Sequence, residues 1–346
     1  MRGLAAVVAG LLVGAACSGN AVTGDDGAPT TTSTATVAVP SSTTTAPVPA
    51  PVVIELCPGT CEPAFVTAAT WPVGPDGVGY VEADLADFEP TGPAGLAIAR
   101  DGTVWVLDTV QARLVGRSMT DRRDRVIDLG SERVGALVDL AAGPNSIAVL
   151  DVDVAQSRYL VHRLDASGAY QSTIPLPEGL WLDDGLTGIA LSPDDELWVE
   201  LELGRFVAQV TDEAVGAYSL SDGYPFDSGV FRQSDDAPAT FRAGDTVLRL
   251  SAPEEALVGA AHLLGVGTDG SIVLAVEEVM FGAVITVEFG VGRYLADGSP
   301  EGSARFVPAE QYIPVEHPLA LGPDGYVYAL LTFEDRVDVV RLGYGR

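Results

Sequence analysis

The feature that most constrains the fold is a recurring pattern of two short apolar segments separated by a tight turn. Clear copies cover residues 95–108, 139–151, 188–199, 263–274 and 318–328. Asp-Gly and related turn residues between apolar runs are a strong short-range signal for a β-hairpin. No long segment of the body has the periodicity of an amphipathic helix. The pattern therefore predicts an all-β array of hairpins.

The spacing of the hairpins predicts a particular all-β architecture. The turns at positions 102, 145, 195, 270 and 325 repeat at an interval typical of β-propeller blades, except for one long step between 195 and 270. Residues 229–233 and 246–250 within that step are predicted strands of a degenerate blade. We therefore predict six four-stranded blades, with seven as the alternative. Residues 64–82 either close the ring beside the last repeat or form that seventh blade.

One repeat carries a more specific motif. Asp108-Thr109-Val110-Gln111-Ala112-Arg113-Leu114 resembles the NHL repeat, in which an Asp is followed by an Arg and an aliphatic residue, and 335–337 is a partial second copy. Gln111 stands where that family usually has Asn. The resemblance implies that Asp108 and Arg113 brace their hairpin.

The first residues have the features of an export signal. A short positive start is followed by an apolar run over residues 4–16, which is too short to span a bilayer as a helix and fits a signal peptide over 1–16. The run ends in small residues before Cys17, a pattern similar to the bacterial lipobox, in which the cysteine is acylated. The prediction is a lipoprotein anchored through Cys17 at the outer face of the cell membrane, with secretion as the alternative. Two acyl chains give stable anchoring.

The next segment is predicted to be a tether. Residues 17–56 are rich in Thr, Ser and Pro and lack apolar periodicity, which is typical of a flexible linker. Cys57 and Cys61 flank a Pro-Gly turn, and in an oxidising exterior we predict a disulfide between them. The propeller domain is then predicted to cover 57–346.

The charge of the chain excludes some partners. Its net charge is −29, and all 19 of its basic residues are arginine. So negative a surface disfavours nucleic acid, which needs a cationic partner, and electrostatic docking on anionic lipid. We therefore expect contact with the membrane only through the lipid anchor, and a monomer. Adjacent aspartates such as 183–184 and 194–195 are interpreted as solvated turns, and no metal site is predicted.

The histidines suggest one catalytic hypothesis. His262 and His317 each precede the aspartate of their hairpin turn by seven residues, so they occupy the same position in consecutive repeats. The repeats resemble those of streptogramin lyases, whose paired histidines open the innermost strands of neighbouring blades. That resemblance implies general acid–base catalysis by the pair, although the family's metal-binding Glu positions hold Leu331 and Val315 here. The third histidine, His162, is predicted to lie at the surface.

Two other enzyme classes built on propellers fit the sequence badly. Lactonases of the gluconolactonase type need axial Asn ligands, and the body has only Asn145, in a turn. Quinoprotein sugar dehydrogenases need a cationic cluster that the sequence lacks, so no cofactor is predicted. The sequence therefore favours a non-catalytic scaffold that binds an envelope polysaccharide, a protein or a small ligand. The alternative is an exported lyase or hydrolase that uses His262 and His317.

Overall fold

The computed structural model describes the backbone of residues 52–55 and most of residues 64–344. Within the latter range it leaves out 82–90, 132, 178–185, 202–205, 215, 222–223, 227–228, 235–236, 244–245, 252–255, 268, 282–284, 296, 307–314 and 316. Cys17, Cys57 and Cys61, and with them the predicted signal peptide, lipid anchor and disulfide, lie outside the described residues. The described part contains no helix long and apolar enough to cross a membrane.

The described chain is all-β, and five of its six sheets are four-stranded antiparallel blades. Blade 1 contains β3 (Pro93–Ile98), β4 (Thr103–Asp108), β5 (Arg113–Ser118) and β6 (Asp124–Asp128). Blade 2 contains β7 (Ala136–Ala142), β8 (Ser146–Asp153), β9 (Arg158–Asp165) and β10 (Tyr170–Pro175). Blade 3 contains β11 (Leu186–Leu191), β12 (Leu197–Leu201), β13 (Phe206–Asp212) and β14 (Ala217–Ser221).

The remaining two blades come from the last third of the chain and from its N-terminal side. Blade 4 contains β19 (Ala256–Val266), β20 (Ile272–Phe281), β21 (Ile285–Tyr294) and β22 (Pro300–Phe306). Blade 5 contains β2 (Ala64–Pro72), β23 (Leu319–Leu321), β24 (Val327–Thr332) and β25 (Arg336–Gly343). The β-propeller predicted from the repeats is confirmed.

The first strands of the repeats lie next to one another around the axis, and a tight turn joins each of them to the second strand of its hairpin. Gly102 has φ 79° and Asp195 has φ 63°. This left-handed backbone region is open to Gly and, among other residues, best tolerated by Asn and Asp. The aspartate and glycine residues of the repeated pattern thus fix the hairpins that bring β3, β7, β11, β19 and β23 to the centre.

The ring is closed by a strand from the N-terminal side of the body. β2 pairs antiparallel with β25, with Trp71 opposite Val337, and becomes the outermost strand of blade 5. This is the first of the two arrangements expected for residues 64–82. Closure in this way joins the two ends of the body in one sheet, so that blade 5 needs both ends of the domain to form.

The blade count differs from the prediction. The sixth sheet has five strands, and none of its residues is among those that line the axial cavity. It contains β15 (Tyr224–Phe226), β16 (Gly229–Ser234), β17 (Ala237–Ala243), β18 (Thr246–Ser251) and β1 (Val52–Glu55). The predicted strands 229–233 and 246–250 therefore exist, but the count of six blades is corrected to five blades and one additional sheet.

The additional sheet packs on one blade instead of joining the ring. Phe241, Leu248 and Leu250 form one apolar cluster with residues of blade 4, including Leu274. Blades 3 and 4 meet through Trp198 and Leu263. Strands β17 and β18 of the additional sheet lie against β19, the inner strand of blade 4. The edge strand β1 of the additional sheet, which falls in the predicted linker, pairs parallel with β18.

Candidate functional site

A cavity of about 350 Å³ lies on the propeller axis. Its wall is formed by the inner strands of all five blades, with contributions from β12, β20 and β21. Most of the lining side chains are aliphatic, but two histidines and three carboxylates also face it. A concave, largely apolar site of this size with a few polar groups is typical of small-molecule binding sites.

Both histidines of the predicted pair line this cavity. His262 lies on β19 opposite Ala275 of β20. His317 lies just before β23, where its backbone N–H donates to the carbonyl oxygen of Ala94 in blade 1 over 3.2 Å. The equivalent repeat positions thus place the two residues on neighbouring blades at one site, with the His317 side chain 27% exposed.

Asp139 of β7 is the buried carboxylate of the site. Its side chain is only 8% exposed, and its Oδ1 atom lies 3.9 Å from Nδ1 of His317. Its oxygens accept hydrogen bonds from the backbone N–H groups of Leu140, at 2.7 Å, and Ile189 of blade 3, at 2.8 Å. The carboxylate is therefore held in a fixed position between three blades.

Burial controls the protonation of Asp139. Removal from water raises the pKa of the Asp139 carboxyl above its ordinary value, because the charged form loses hydration. The nearby His317 and the two backbone donors lower the pKa and offset part of this effect. The proton affinity of this group is consequently sensitive to any charge that enters the cavity.

Glu200 of β12 lies close to Asp139 and His317, and all three side chains are next to Gly188. A Cβ atom at Gly188 would lie 3.0 Å from Oδ2 of Asp139, 3.1 Å from Oε2 of Glu200 and 3.5 Å from Cε1 of His317. The absence of a side chain at Gly188 thus leaves room for these three groups to approach one another. Glu277 of β20 adds a third carboxylate to the cavity wall.

Sequence reasoning missed Asp139 and Glu200 as site residues. In an alignment of the repeats, Asp139 falls where two other copies have Gly95 and Gly188, and Glu200 falls where the first copy has Leu107. The sequence signal that could have identified these two residues is a carboxylate at a position where the compared copies have Gly or Leu. The site combines residues from different repeat positions, so a comparison of equivalent positions predicts only the two histidines.

Asp108 and Arg113, which the sequence also singled out, are not among the residues that line the cavity. Arg113 Nε lies 3.1 Å from Oδ2 of the buried Asp108, in blade 1. Asp108 also accepts hydrogen bonds from the backbone N–H groups of Gly79 and Gln111, each at 3.1 Å.

The surface position predicted for His162 is wrong. His162 is 3% exposed, and its Nε2 atom lies 3.1 Å from Oδ2 of Asp151. Its Nδ1 atom lies 2.9 Å from Oγ1 of Thr173. The alternating pattern of β9 concealed this burial because a polar side chain can face the interior of a blade when hydrogen-bonding partners are supplied there.

The geometry of the site bears on the metal chemistry that other propellers support. Within the described residues, no group of three or more His, Cys, Asp or Glu side chains is arranged to hold a metal ion. The lining carboxylates and imidazoles can instead accept hydrogen bonds and exchange protons with a bound organic molecule.

Comparison with known proteins adds information on the fold alone. The protein-family models and the curated proteins gave no match to this chain. Among solved structures, a member of the DUF4221 family from Bacteroides vulgatus has 11% sequence identity and a TM-score of 0.52, with 83% of this chain and 99% of that chain covered. Such a similarity concerns architecture and does not transfer an activity.

Two further solved structures are less similar. Virginiamycin B lyase from Staphylococcus aureus has 14% identity and a TM-score of 0.40, covering 82% of this chain and 99% of that chain. The aldose sugar dehydrogenase from Streptomyces coelicolor has 12% identity and a TM-score of 0.41, with the same coverage. Neither similarity indicates an activity for this chain, whose function has to be argued from its own site.

Proposed function

We propose that the protein is an exported, lipid-anchored propeller that binds a small molecule in its axial cavity without altering it. The observation that carries this proposal is the cavity itself, in which aliphatic walls surround a small set of polar groups. A volume of about 350 Å³ lined largely by aliphatic residues is the size of a small-molecule site, and this favours a small ligand over a polysaccharide or a protein partner. The lipid anchor at Cys17 and the NHL character of the repeats belong to this proposal.

The proposal can be tested by filling the cavity. Ala190 lines it and is partly buried, whereas Ala136 is exposed at the start of β7. Small molecules that stabilise the full chain in a thermal-shift screen are titrated by calorimetry into the wild type, Ala190→Phe and Ala136→Phe. We expect Ala190→Phe to weaken binding at least tenfold and Ala136→Phe to leave it unchanged. The absence of any small-molecule binding, or equal binding by both variants, would contradict the proposal.

A second candidate is catalysis through His262 and His317. The observation that favours it is that both imidazoles line one cavity and that Asp139 lies 3.9 Å from His317. A carboxylate near an imidazole can orient it for proton transfer. The two histidines would then transfer protons to and from a bound substrate.

Turnover of a streptogramin B antibiotic, the substrate class implied by the repeat resemblance, tests this candidate. Product formation is followed by mass spectrometry for the wild type and for His262→Ala and His317→Ala, each checked for folding by circular dichroism. Catalysis by the pair predicts a loss of at least a hundredfold in each folded variant. No turnover by the wild type, or turnover that both variants retain, would leave binding as the function.

A further inference from the structure

The charges that line the axial cavity are unbalanced. The carboxylates of Asp139, Glu200 and Glu277 face it. Among its described lining residues, the only side chains that can become positively charged are those of His262 and His317. None of the described lining residues is an arginine, although arginine provides every permanent positive charge of the side chains in this chain. With the carboxylates ionised, the wall therefore stays negative even when both histidines are protonated.

We propose that the cavity selects an organic cation, namely an amine with an apolar body. This inference rests on the proposed function, because it names the class of small molecule that the axial cavity takes. A positively charged nitrogen complements the carboxylates, and the aliphatic walls take up the remainder of the ligand.

The ammonium group is expected beside the carboxylates of Asp139 and Glu200. These two side chains and His317 approach one another around Gly188, so their polar atoms share one part of the cavity wall. The Asp139 carboxylate is oriented by the N–H groups of Leu140 and Ile189, so little ordering is required when the ligand binds. An ammonium group at this point donates hydrogen bonds to carboxylate oxygens, and such charge-assisted bonds are about twice as strong as neutral ones.

The apolar cavity wall determines which kind of ligand body fits beside the ammonium group. Leu96, Ile98, Ile189, Leu319, Leu321 and Phe289 contribute to the cavity lining. Burial of an apolar ligand surface against such a lining favours binding. A small hydrated cation cannot make these contacts, which is why the structure favours an amine with a hydrocarbon or aromatic body.

A bare metal ion is a poorer occupant. Divalent cations need several ligands at short, regular distances, and within the described residues no such group is formed. The carboxylates are instead distributed over β7, β12 and β20 of three different blades. This arrangement suits a larger cation that contacts different parts of the wall.

The test compares ligands that share one skeleton and differ in charge. 2-Phenylethylamine, tryptamine and 1-adamantylamine are titrated by calorimetry into the full chain, each beside the alcohol and the carboxylate of the same carbon frame. Each amine is expected to bind at least tenfold more tightly than its alcohol, and the carboxylates are expected to bind least. For the ligands without an indole ring, entry is followed independently by the change in tryptophan fluorescence that Trp198, which lines the cavity, is expected to give.

Matched variants assign the selectivity to the site. Glu200→Gln should weaken the binding of the amines about tenfold and leave the alcohols unchanged. Glu196→Gln, an exposed turn position of the same hairpin, should change neither. Equal binding of amines and alcohols, or amine binding that Glu200→Gln does not affect, would overturn the inference while leaving a small-molecule site in place. If no member of the series binds, the inference fails, whereas the proposed function fails only if the thermal-shift screen also finds no ligand that Ala190→Phe excludes.

Discussion

Asp108 is fully buried in blade 1, where the Arg113 side chain and the backbone N–H groups of Gly79 and Gln111 donate hydrogen bonds to it. We propose that this arrangement braces the hairpin, as the NHL resemblance implies. Removal of one partner of a buried ion pair is costly because the other partner remains buried without compensation. The contribution of this carboxylate to stability should therefore be large.

Asp108→Ala is predicted to lower the free energy of unfolding by about 3 kcal/mol. Asp124→Ala provides the control, because it breaks a pair with Arg117 in which the aspartate is half exposed, and such a pair contributes at most about 1 kcal/mol. Urea denaturation followed by circular dichroism measures both changes. Similar effects of the two substitutions would contradict a bracing role for Asp108.

His162 gives a second prediction at this scale. His162→Ala removes a buried ring that contacts Asp151 and Thr173, and we expect a loss of about 3 kcal/mol in the free energy of unfolding. His317→Ala, at a partly exposed cavity residue, should cost less than about 1 kcal/mol. Denaturation curves that reverse this order would show that the two histidines have been assigned to the wrong environments.

The pH dependence of binding follows from Asp139. Burial raises the pKa of its carboxyl, so a larger fraction of Asp139 than of an exposed aspartate is protonated in mildly acidic solution. A bound ammonium group favours the charged carboxylate and lowers this pKa, which means that amine binding releases protons. Affinity should therefore fall as the pH is lowered from 7.5 to 5, and more steeply for the wild type than for Asp139→Asn. Calorimetry in buffers of different ionisation enthalpy measures the proton release, and proton uptake on binding would contradict the assignment.

Asp269 shows the opposite shift. Hydrogen bonds from Ser271, with help from Arg293, lower the pKa of the Asp269 carboxyl to about 2. Because the folded-state pKa lies below the ordinary value, the stabilisation is present above about pH 4 and is lost as the pH falls towards 2. Asp269→Asn should thus destabilise the chain at pH 6 by no more than about 1 kcal/mol, since the turn is exposed. The difference from the wild type in urea denaturation should shrink at pH 2.5, and a constant difference would argue against this linkage.

At the scale of elements, strand β2 determines whether the ring closes. Trp71 of β2 is 3% exposed and packs in one cluster with Val337, Val339 and Leu330 of blade 5. Trp71→Ala should therefore lower the free energy of unfolding by about 3–5 kcal/mol. Val66→Ala in the same strand is the control, because Val66 is 52% exposed and its truncation should change stability by less than about 0.5 kcal/mol. If truncation of Trp71 has as little effect as the control, β2 does not contribute to closure in solution.

The sequence predicted the elements better than their arrangement. The hairpin pattern predicted the inner strands of all five blades because turn chemistry and apolar alternation are local properties. It also predicted strands at 229–233 and 246–250, but local patterns do not encode which sheet reaches the axis. That outcome depends on tertiary packing, in which Trp198 and Leu263 join blades 3 and 4 directly.

The candidate site shows the same limit. His262 and His317 occupy equal repeat positions, and both are among the residues that line the axial cavity, because equivalent positions of a repeat fold lie at the same end of neighbouring blades. Asp139 and Glu200 come from non-equivalent positions on different strands. Their convergence near Gly188 depends on the distance between neighbouring inner strands, which no single repeat specifies.

At the scale of the whole molecule, the proposed anchor and the proposed binding site would serve one function, the binding of ligands outside the cell membrane. Cys17 and the segment that follows would keep the propeller at the outer face of the membrane, where it would meet ligands from the surroundings. Cys17→Ser should shift the protein from the membrane fraction to the soluble fraction and abolish labelling by a radioactive fatty acid. A wild-type protein that carries no label would contradict the anchor and favour secretion.

A crystal structure of the full chain with tryptamine would show directly whether the axial cavity is the binding site. We expect electron density for the ligand on the propeller axis. Its nitrogen should lie about 3 Å from the carboxylate oxygens of Asp139 and Glu200, and its ring should contact the aliphatic wall. A ligand bound elsewhere on the propeller, or an axial cavity that holds only water at saturating tryptamine, would contradict this expectation.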